Sequence, residues 1–373
     1  MTISLPTPNT ALQAHSLATT AQIRAEIASH GRINFATFMQ LALYAPTHGY
    51  YTSGLQKFGE HGDFITAPDI STLFSKSLAC HVAKTLKDCR NPTILEFGPG
   101  RGKMAADILL QLDTLNQLPD TYYCLELSPD LRSRQQATLQ EHCPHLASRV
   151  TWLDQLPDTP FEGVILANEV LDAMPVHLFE LGPDGAKERC IHWKNEQFAW
   201  QTADMPANIA PHVEALIAQH GLTAPYQSEI NLLIAPWLQS ANDCLSKGSI
   251  TLIDYGFLSK AYYLPERNTG TLMCHYQHRN HPNPFFLPGG QDITAHVDFS
   301  CVIDAAQQIG LRVASFETQA DFLLRSGITE IFEAQRSDDP KAQIQLSREL
   351  QTLLFPHEMG EIFKVVNLTK DGL

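Results

Sequence analysis

Two periodicities alternate along this chain. Short apolar runs of strand length, bounded by turn residues, are followed by stretches whose apolar positions recur every three or four residues, the spacing of an amphipathic helix. Between 71 and 87, Phe74, Leu78, Val82 and Leu86 predict a helix. Ile94, Leu95 and Phe97, after the breaker Asn91-Pro92, predict a buried strand, and Met104, Ile108 and Leu112 predict a helix over 103–115. Further strands are expected at 122–127, 149–153, 163–167 and 250–254. A helix at 297–309, a strand at 312–317, two or three helices within 321–354 and a last strand at 361–368 complete the series. Ser128 and Pro129 suit the cap and first position of a helix after the second strand. Strands and helices in this order imply an α/β fold with a mostly parallel sheet.

The alternation fails in three places. Residues 1–18 are polar and read as a partly disordered arm, followed by helices near 20–29 and 34–43 and a structured loop over 58–69. Residues 176–228 read as short antiparallel strands and a short helix, an inserted α+β lobe, and 229–246 as a helix. Residues 259–295 read as an irregular insertion. The expected segments are thus an N-terminal helical part with its loop (1–90), the first half of the α/β domain (91–175), the lobe (176–228), a return to the domain (229–258), the insertion (259–295), and the end of the domain with a helical insertion (296–373).

A chain of 373 residues, 44% hydrophobic and 18% charged, suits a globular enzyme with a large core. A net charge of −14 argues against nucleic acid, whose phosphates need a basic surface, and suits a basic target such as an arginine-rich protein segment. The eight cysteines form no C-x-x-C pair and read as scattered reduced thiols. No apolar run approaches the ~20 residues of a membrane span. The N-terminus lacks a basic region followed by an apolar core, so the cytoplasm is the expected location. His275, His278 and His281 are evenly spaced, but Pro282 and Pro284 oppose a helix there and no carboxylate completes a ligand set; no metal is expected.

The chemistry concentrates at strand ends. Glu96 precedes Gly98-Pro99-Gly100-Arg101-Gly102, and a helix follows. Glycines allow a tight turn and close ligand approach, and the helix N-terminus favours an anionic group. Lys103 stands where a dinucleotide loop needs its third glycine, and no G-K-[ST] follows. Glu96 with G-x-G-x-G resembles the class I S-adenosyl-L-methionine (SAM) dependent methyltransferases. Glu126 ends the second strand, where a carboxylate can take two hydrogen bonds from a ribose diol. Asn168-Glu169-Val170-Leu171-Asp172-Ala173-Met174-Pro175 follows the fourth strand at once.

Together these motifs resemble one family, the SAM-dependent methyltransferases related to a mitochondrial complex I assembly factor, mitochondrial dysfunction protein A. Further matches are Gly49-Tyr50-Tyr51, Gly62-Asp63-Phe64-Ile65-Thr66-Ala67-Pro68, Glu126-Leu127-Ser128-Pro129, Asp254-Tyr255-Gly256, Asp292-Ile293-Thr294-Ala295-His296-Val297-Asp298-Phe299 and Met359-Gly360-Glu361. Asp69 departs from the family, where glutamate is common. The resemblance implies a class I fold, with a seven-stranded sheet whose last strand is an antiparallel edge strand, and SAM as cofactor. It also implies a protein arginine as acceptor, as in the mitochondrial members that assist complex I assembly. The 98–102 turn would hold the methionine carboxylate, with Glu96 and Asp63 as candidates for its amino group and Thr66 and Pro68 beside it. Glu126 would hold the ribose; Leu127, Trp152 and Leu153 would flank the adenine, with Asp154 at its amino group and Asn168 also at the cofactor. Glu169 and Asp172, with Asn168, would clamp the acceptor and take its proton; His296 and Asp298 are second candidates. A non-catalytic SAM-binding chaperone and a small-molecule methyltransferase remain as alternatives, and a homodimer is compatible with the sequence.

Overall fold

The computed structural model describes residues 5–54 and 65–371, which divide into two units. One comprises Ile65–Leu171, Trp237–Gly256 and Val302–Leu373. Its frame is seven strands: β1 (Thr93–Phe97), β2 (Thr121–Leu125), β3 (Val150–Leu153), β4 (Phe161–Asn168), β5 (Leu245–Phe257), β6 (Arg312–Thr318) and β7 (Phe363–Lys370). They lie in the order β3-β2-β1-β4-β5-β7-β6. The first five pair in parallel, while β7 runs antiparallel to both β5 and β6. This is the α/β, mostly parallel sheet that the alternation implies, with its last strand antiparallel. One expectation needs correcting: β7 is not the edge. Val365, Val366 and Leu368 are fully buried, so this strand needs cover on both faces, and the more exposed β6 takes the edge.

β1 lies between β2 and β4, so the strand order reverses there. Connections leave β1 and β4 in opposite directions, and the carboxyl ends of such strands border a crevice. The helix Thr72–Leu86 buries Leu73, Phe74, Leu78, Val82 and Leu86 in the same core as Ile94, Ile108 and Tyr122. The helices Gln319–Arg325, Ile328–Ala334 and Pro340–Leu354 fill the connection from β6 to β7.

The other unit gathers Met1–Phe64, Asp172–Pro236 and Phe257–Cys301. A five-stranded antiparallel sheet contains Ile33–Asn34, His177–Gly182, Gly185–Lys194, Gln197–Asp204 and Tyr226–Ile230. A smaller one pairs Met273–Tyr276 with Arg279–His281 and Asp292–Thr294, so His275 and His281 sit on a hairpin. Among the described residues no group of three or more His, Cys, Asp or Glu side chains could hold a metal ion. No described helix is long and apolar enough to cross a membrane.

Three local expectations fail here, the first two because buried polar residues hide the apolar period. The first helix begins at Thr10, capped by Asn9, not near residue 20, because Ser16 and Thr19 share its buried face with Ile23 and Ile27. Residues 226–230 form a strand where a helix was expected to start, and the helix is only Ile234–Asp243. Glu229 is buried in that strand, accepting hydrogen bonds from Tyr262 and Thr271. Val297–Asp298 is extended, and the helix starts at Phe299.

Candidate functional site

The 98–102 turn joins β1 to the helix Lys103–Thr114. Its three glycines have φ of 58°, 53° and 81°, a region costly for any residue with a Cβ. Open space lies where a Cβ on Gly100 would point, whereas one on Gly102 would meet Gln135 Cα at 3.0 Å. Gly100 thus leaves room for a ligand and Gly102 leaves room for a neighbouring helix. No side chain caps the helix after the turn, so its first N–H groups have no side-chain acceptor at the cap position.

Just before the turn, Glu96 is buried in β1. Tyr122 on β2 donates to its Oε2 at 2.6 Å. Burial raises the Glu96 carboxyl to about 7, with the Tyr122 hydrogen bond opposing the shift. Beside the turn, Arg101 donates to Asp69 at 2.6 Å, Thr66 donates to the other Asp69 oxygen at 3.2 Å, and Lys103 Nζ reaches the Pro68 carbonyl at 2.7 Å. The short helix Ala67–Ile70 is therefore tied to the glycine turn by Arg101 and to the helix after it by Lys103. The shorter Asp69 carboxylate has a defined partner. Asp63 lies outside the described residues.

Glu126, at the end of β2, accepts from Ser128 N at 2.8 Å through Oε1 and from Gln135 Nε2 at 3.1 Å through Oε2. The helix Pro129–His142 is capped by Ser128 and carries both Arg132 and Gln135. Arg132 donates to the carbonyls of Glu126 and Leu153 and to Asp154, which is itself exposed. Gln135 Nε2 also reaches Gly100 O at 2.9 Å, and Trp152 Nε1 donates to Gln135 Oε1 at 2.8 Å. Leu127 is 67% exposed at this edge. Sequence reading missed Tyr122, Arg132 and Gln135. The signal of the last two is weak, since helical polar residues normally face water.

β4 ends beside β1, with Ala167 opposite Phe97. Asn168 donates to Glu169 Oε1 at 3.3 Å, and Glu169 holds a φ of 53°, which is strained for a residue with a side chain. The next residue, Val170, lies 3.6 Å from where a Cβ on Gly98 would stand, so this acidic turn packs on the glycine turn. Buried Asp254 on β5 accepts from Leu171 N and Tyr255 N and so fixes the exit of the turn.

Asp172 opens the first segment of the other unit after residue 64. There its carbonyl accepts from Ala295 N, and its charge, with that of Asp292, acts on Tyr44 and Tyr51. These two rings stack at 5.4 Å; Tyr51 donates to Asp292 at 2.9 Å and Tyr44 to the Ala173 carbonyl at 3.0 Å. Burial first, then the carboxylates, pushes both phenols far up. Gly49 makes this possible: a Cβ there would come within 2.5 Å of Ala45 N, so only glycine lets Tyr50 and Tyr51 fold back over the helix Phe35–Tyr44. Tyr44 and Asp292 were not singled out as site residues from the sequence. The same unit holds the second candidates. Asp298 uses both oxygens on Ser259 and takes Ser300 N at the start of the next helix. The His296 ring stacks on Phe257, and burial lowers it to about 4.

A family model for S-adenosyl-L-methionine-dependent methyltransferases matches residues 77–317. The chain belongs to that family. It is similar to the protein arginine methyltransferase NDUFAF7, mitochondrial, of Rattus norvegicus, 30% identical over 91% of this chain and 81% of the relative. The human protein of that name is 29% identical, over 91% and 80%. A Burkholderia thailandensis protein, solved bound to S-adenosyl-homocysteine, superposes with a TM-score of 0.94 at 40% identity, covering 98% of this chain and 95% of that one. This methyltransferase is therefore an enzyme of class I fold that uses SAM. The expected cytoplasmic location is overturned by these relatives, which are mitochondrial by name.

The residues fit the cofactor. Open space at Gly100, an uncapped helix N-terminus for a carboxylate, and a buried carboxylate at the end of β2 for a diol are what its two ends require.

Proposed function

We propose that this methyltransferase modifies an arginine of a protein, and that the protein is a complex I subunit during assembly. The relatives named protein arginine methyltransferase support the acceptor class. Complex I rests on the family resemblance, and the net charge of −14 suits a basic segment. The observation that carries the reading is Glu169, a carboxylate on strained backbone in a turn packed against the glycine turn.

In this reading the 98–102 turn and the following helix hold the methionine carboxylate. Glu96 faces its amino group, with Asp63 a further candidate and Thr66 and Pro68 alongside. Glu126 takes the ribose hydroxyls, Leu127, Trp152 and Leu153 flank the adenine, Asp154 lies by its amino group, and Asn168 orients Glu169. When bound, SAM supplies an electrophilic methyl group on a sulfonium that leaves as a neutral thioether. Glu169 and Asp172 bind the acceptor guanidinium, turn one nitrogen toward the methyl group and accept the proton it sheds as the N–C bond forms. A guanidinium does not lose its proton to water at neutral pH, so a carboxylate partner is the chemical requirement.

The test is transfer of labelled methyl from SAM to purified complex I subunits, with mass spectrometry of the product. Label on arginine supports the proposal, and label only on another residue or on a small molecule overturns it. SAM binding without transfer to any subunit would favour an assembly role instead.

A further inference from the structure

We propose that Gln135 is a positioning residue for the ribose end of the cofactor site, holding the Glu126 carboxylate and the glycine turn in one register. This rests on the assignment of Glu126 to the ribose. Gln135 is wholly buried on the helix Pro129–His142, yet all the polar contacts of its side chain face the strand ends. Its Nε2 donates both to Glu126 Oε2, at 3.1 Å, and to Gly100 O, at 2.9 Å. Its Oε1 accepts from Trp152 Nε1, at 2.8 Å.

One amide thus touches the carboxylate at the end of β2, the middle of the turn after β1, and the indole on β3. An amide is suited to this place because it offers two donors and an acceptor at fixed angles. A carboxylate there would face Glu126 without a donor, and an aliphatic chain would satisfy none of the three groups. The backbone is built around the same contact. A side chain on Gly102 would strike the Cα, Cβ and Cγ of Gln135 at 3.0 to 3.2 Å, so the glycine brings the helix close enough for the amide to reach. With Ser128 N on one Glu126 oxygen and Gln135 on the other, the carboxylate plane is fixed before any diol arrives.

The consequence is selective. A group that only supports the fold affects every ligand of the site alike. A group that aims Glu126 affects ligands with an intact ribose diol more than ligands without one. The test measures calorimetric affinity for S-adenosylhomocysteine and for its 2′-deoxy counterpart, in wild type and Gln135→Leu. Wild type is expected to favour the natural ligand on the order of tenfold or more, as for a hydrogen bond to a charged group. Gln135→Leu is expected to lose most of that preference, and to weaken the deoxy ligand too, through the glycine turn, but by a smaller factor than the natural ligand. If Gln135→Leu does not fold, Gln135→Met, unbranched and of similar length, takes its place in the same comparison. Equal preference in wild type and variant overturns the role of Gln135 and leaves the ribose assignment standing. No preference in wild type overturns the ribose assignment, and this inference with it.

Discussion

The two units hold their polar groups in opposite ways. In the parallel-sheet unit, Glu96, Gly98, Gly100, Gly102, Glu126 and Asn168 all sit at the carboxyl ends of neighbouring strands or in the turns that follow. Strand order alone brings them together, so local sequence is enough to find them. In the other unit, Tyr44 and Tyr51, Asp172, and Asp292 come from three separate chain segments. No local pattern announces that grouping. A parallel sheet concentrates chemistry by topology, whereas the other unit does so by packing, and the topology is easier to read in the sequence.

Replacing the proposed acceptor carboxylates is the most forceful way to break this comparison. Glu169→Gln with Asp172→Asn should lower kcat by about 10² to 10⁴, the range for losing general-base help, with SAM affinity nearly unchanged. Rate measurements at saturating SAM, paired with calorimetry, check it. A fall in SAM affinity equal to the fall in kcat would place both residues on the cofactor side instead.

Glu96 gives the next largest effect. Its carboxyl is raised from an ordinary 4.5 to about 7 by burial. Between those values the folded state holds a proton that the unfolded chain has released, so this contribution is full below 4.5 and is lost as pH rises through 7. Chemical unfolding of the ligand-free protein should show stability falling across that window, by on the order of 3 kcal/mol from this group. Glu96→Gln should flatten the slope. An unchanged slope would mean that other groups carry it.

The legible part of the molecule follows the same divide. The strand-turn-helix units, the glycine turn and the Glu126 position were readable because each follows from period, breaker and capping chemistry over a few residues. The order β7-β6 at the sheet edge was not, since it depends on which strand buries more apolar surface. The start of the first helix was hidden by Ser16 and Thr19 on its packed face, and the strand at 226–230 by a buried Glu229. Gln135 was invisible because a buried amide on a helix looks the same in sequence as a solvated one.

Glu126→Ala should weaken SAM binding by roughly 2 kcal/mol, the loss of a charge-assisted hydrogen-bonding partner. Arg132, which holds the Glu126 and Leu153 carbonyls, offers a control for the strand ends themselves. If Glu126→Ala binds SAM as wild type does, the ribose lies elsewhere, and the strand-end argument loses its clearest member.

The smallest expected effect tests the packed unit. Tyr51 donates to Asp292 at 2.9 Å, and Ile293 N donates to the same Asp292 oxygen at 2.9 Å. Tyr51→Phe keeps the ring stacked on Tyr44 and removes only the hydroxyl, so packing is preserved while one donor to a buried carboxylate is lost. The cost should be about 1.5 kcal/mol of stability, the low end for a hydrogen bond to a charged group, because Ile293 N still serves the same oxygen. Denaturant unfolding measures it, and calorimetry should find SAM affinity unchanged. A SAM affinity that falls with Tyr51→Phe would show the division of labour to be wrong. The tyrosine-aspartate cluster would then serve the cofactor, and position along the strand ends would no longer be enough to find the cofactor's residues.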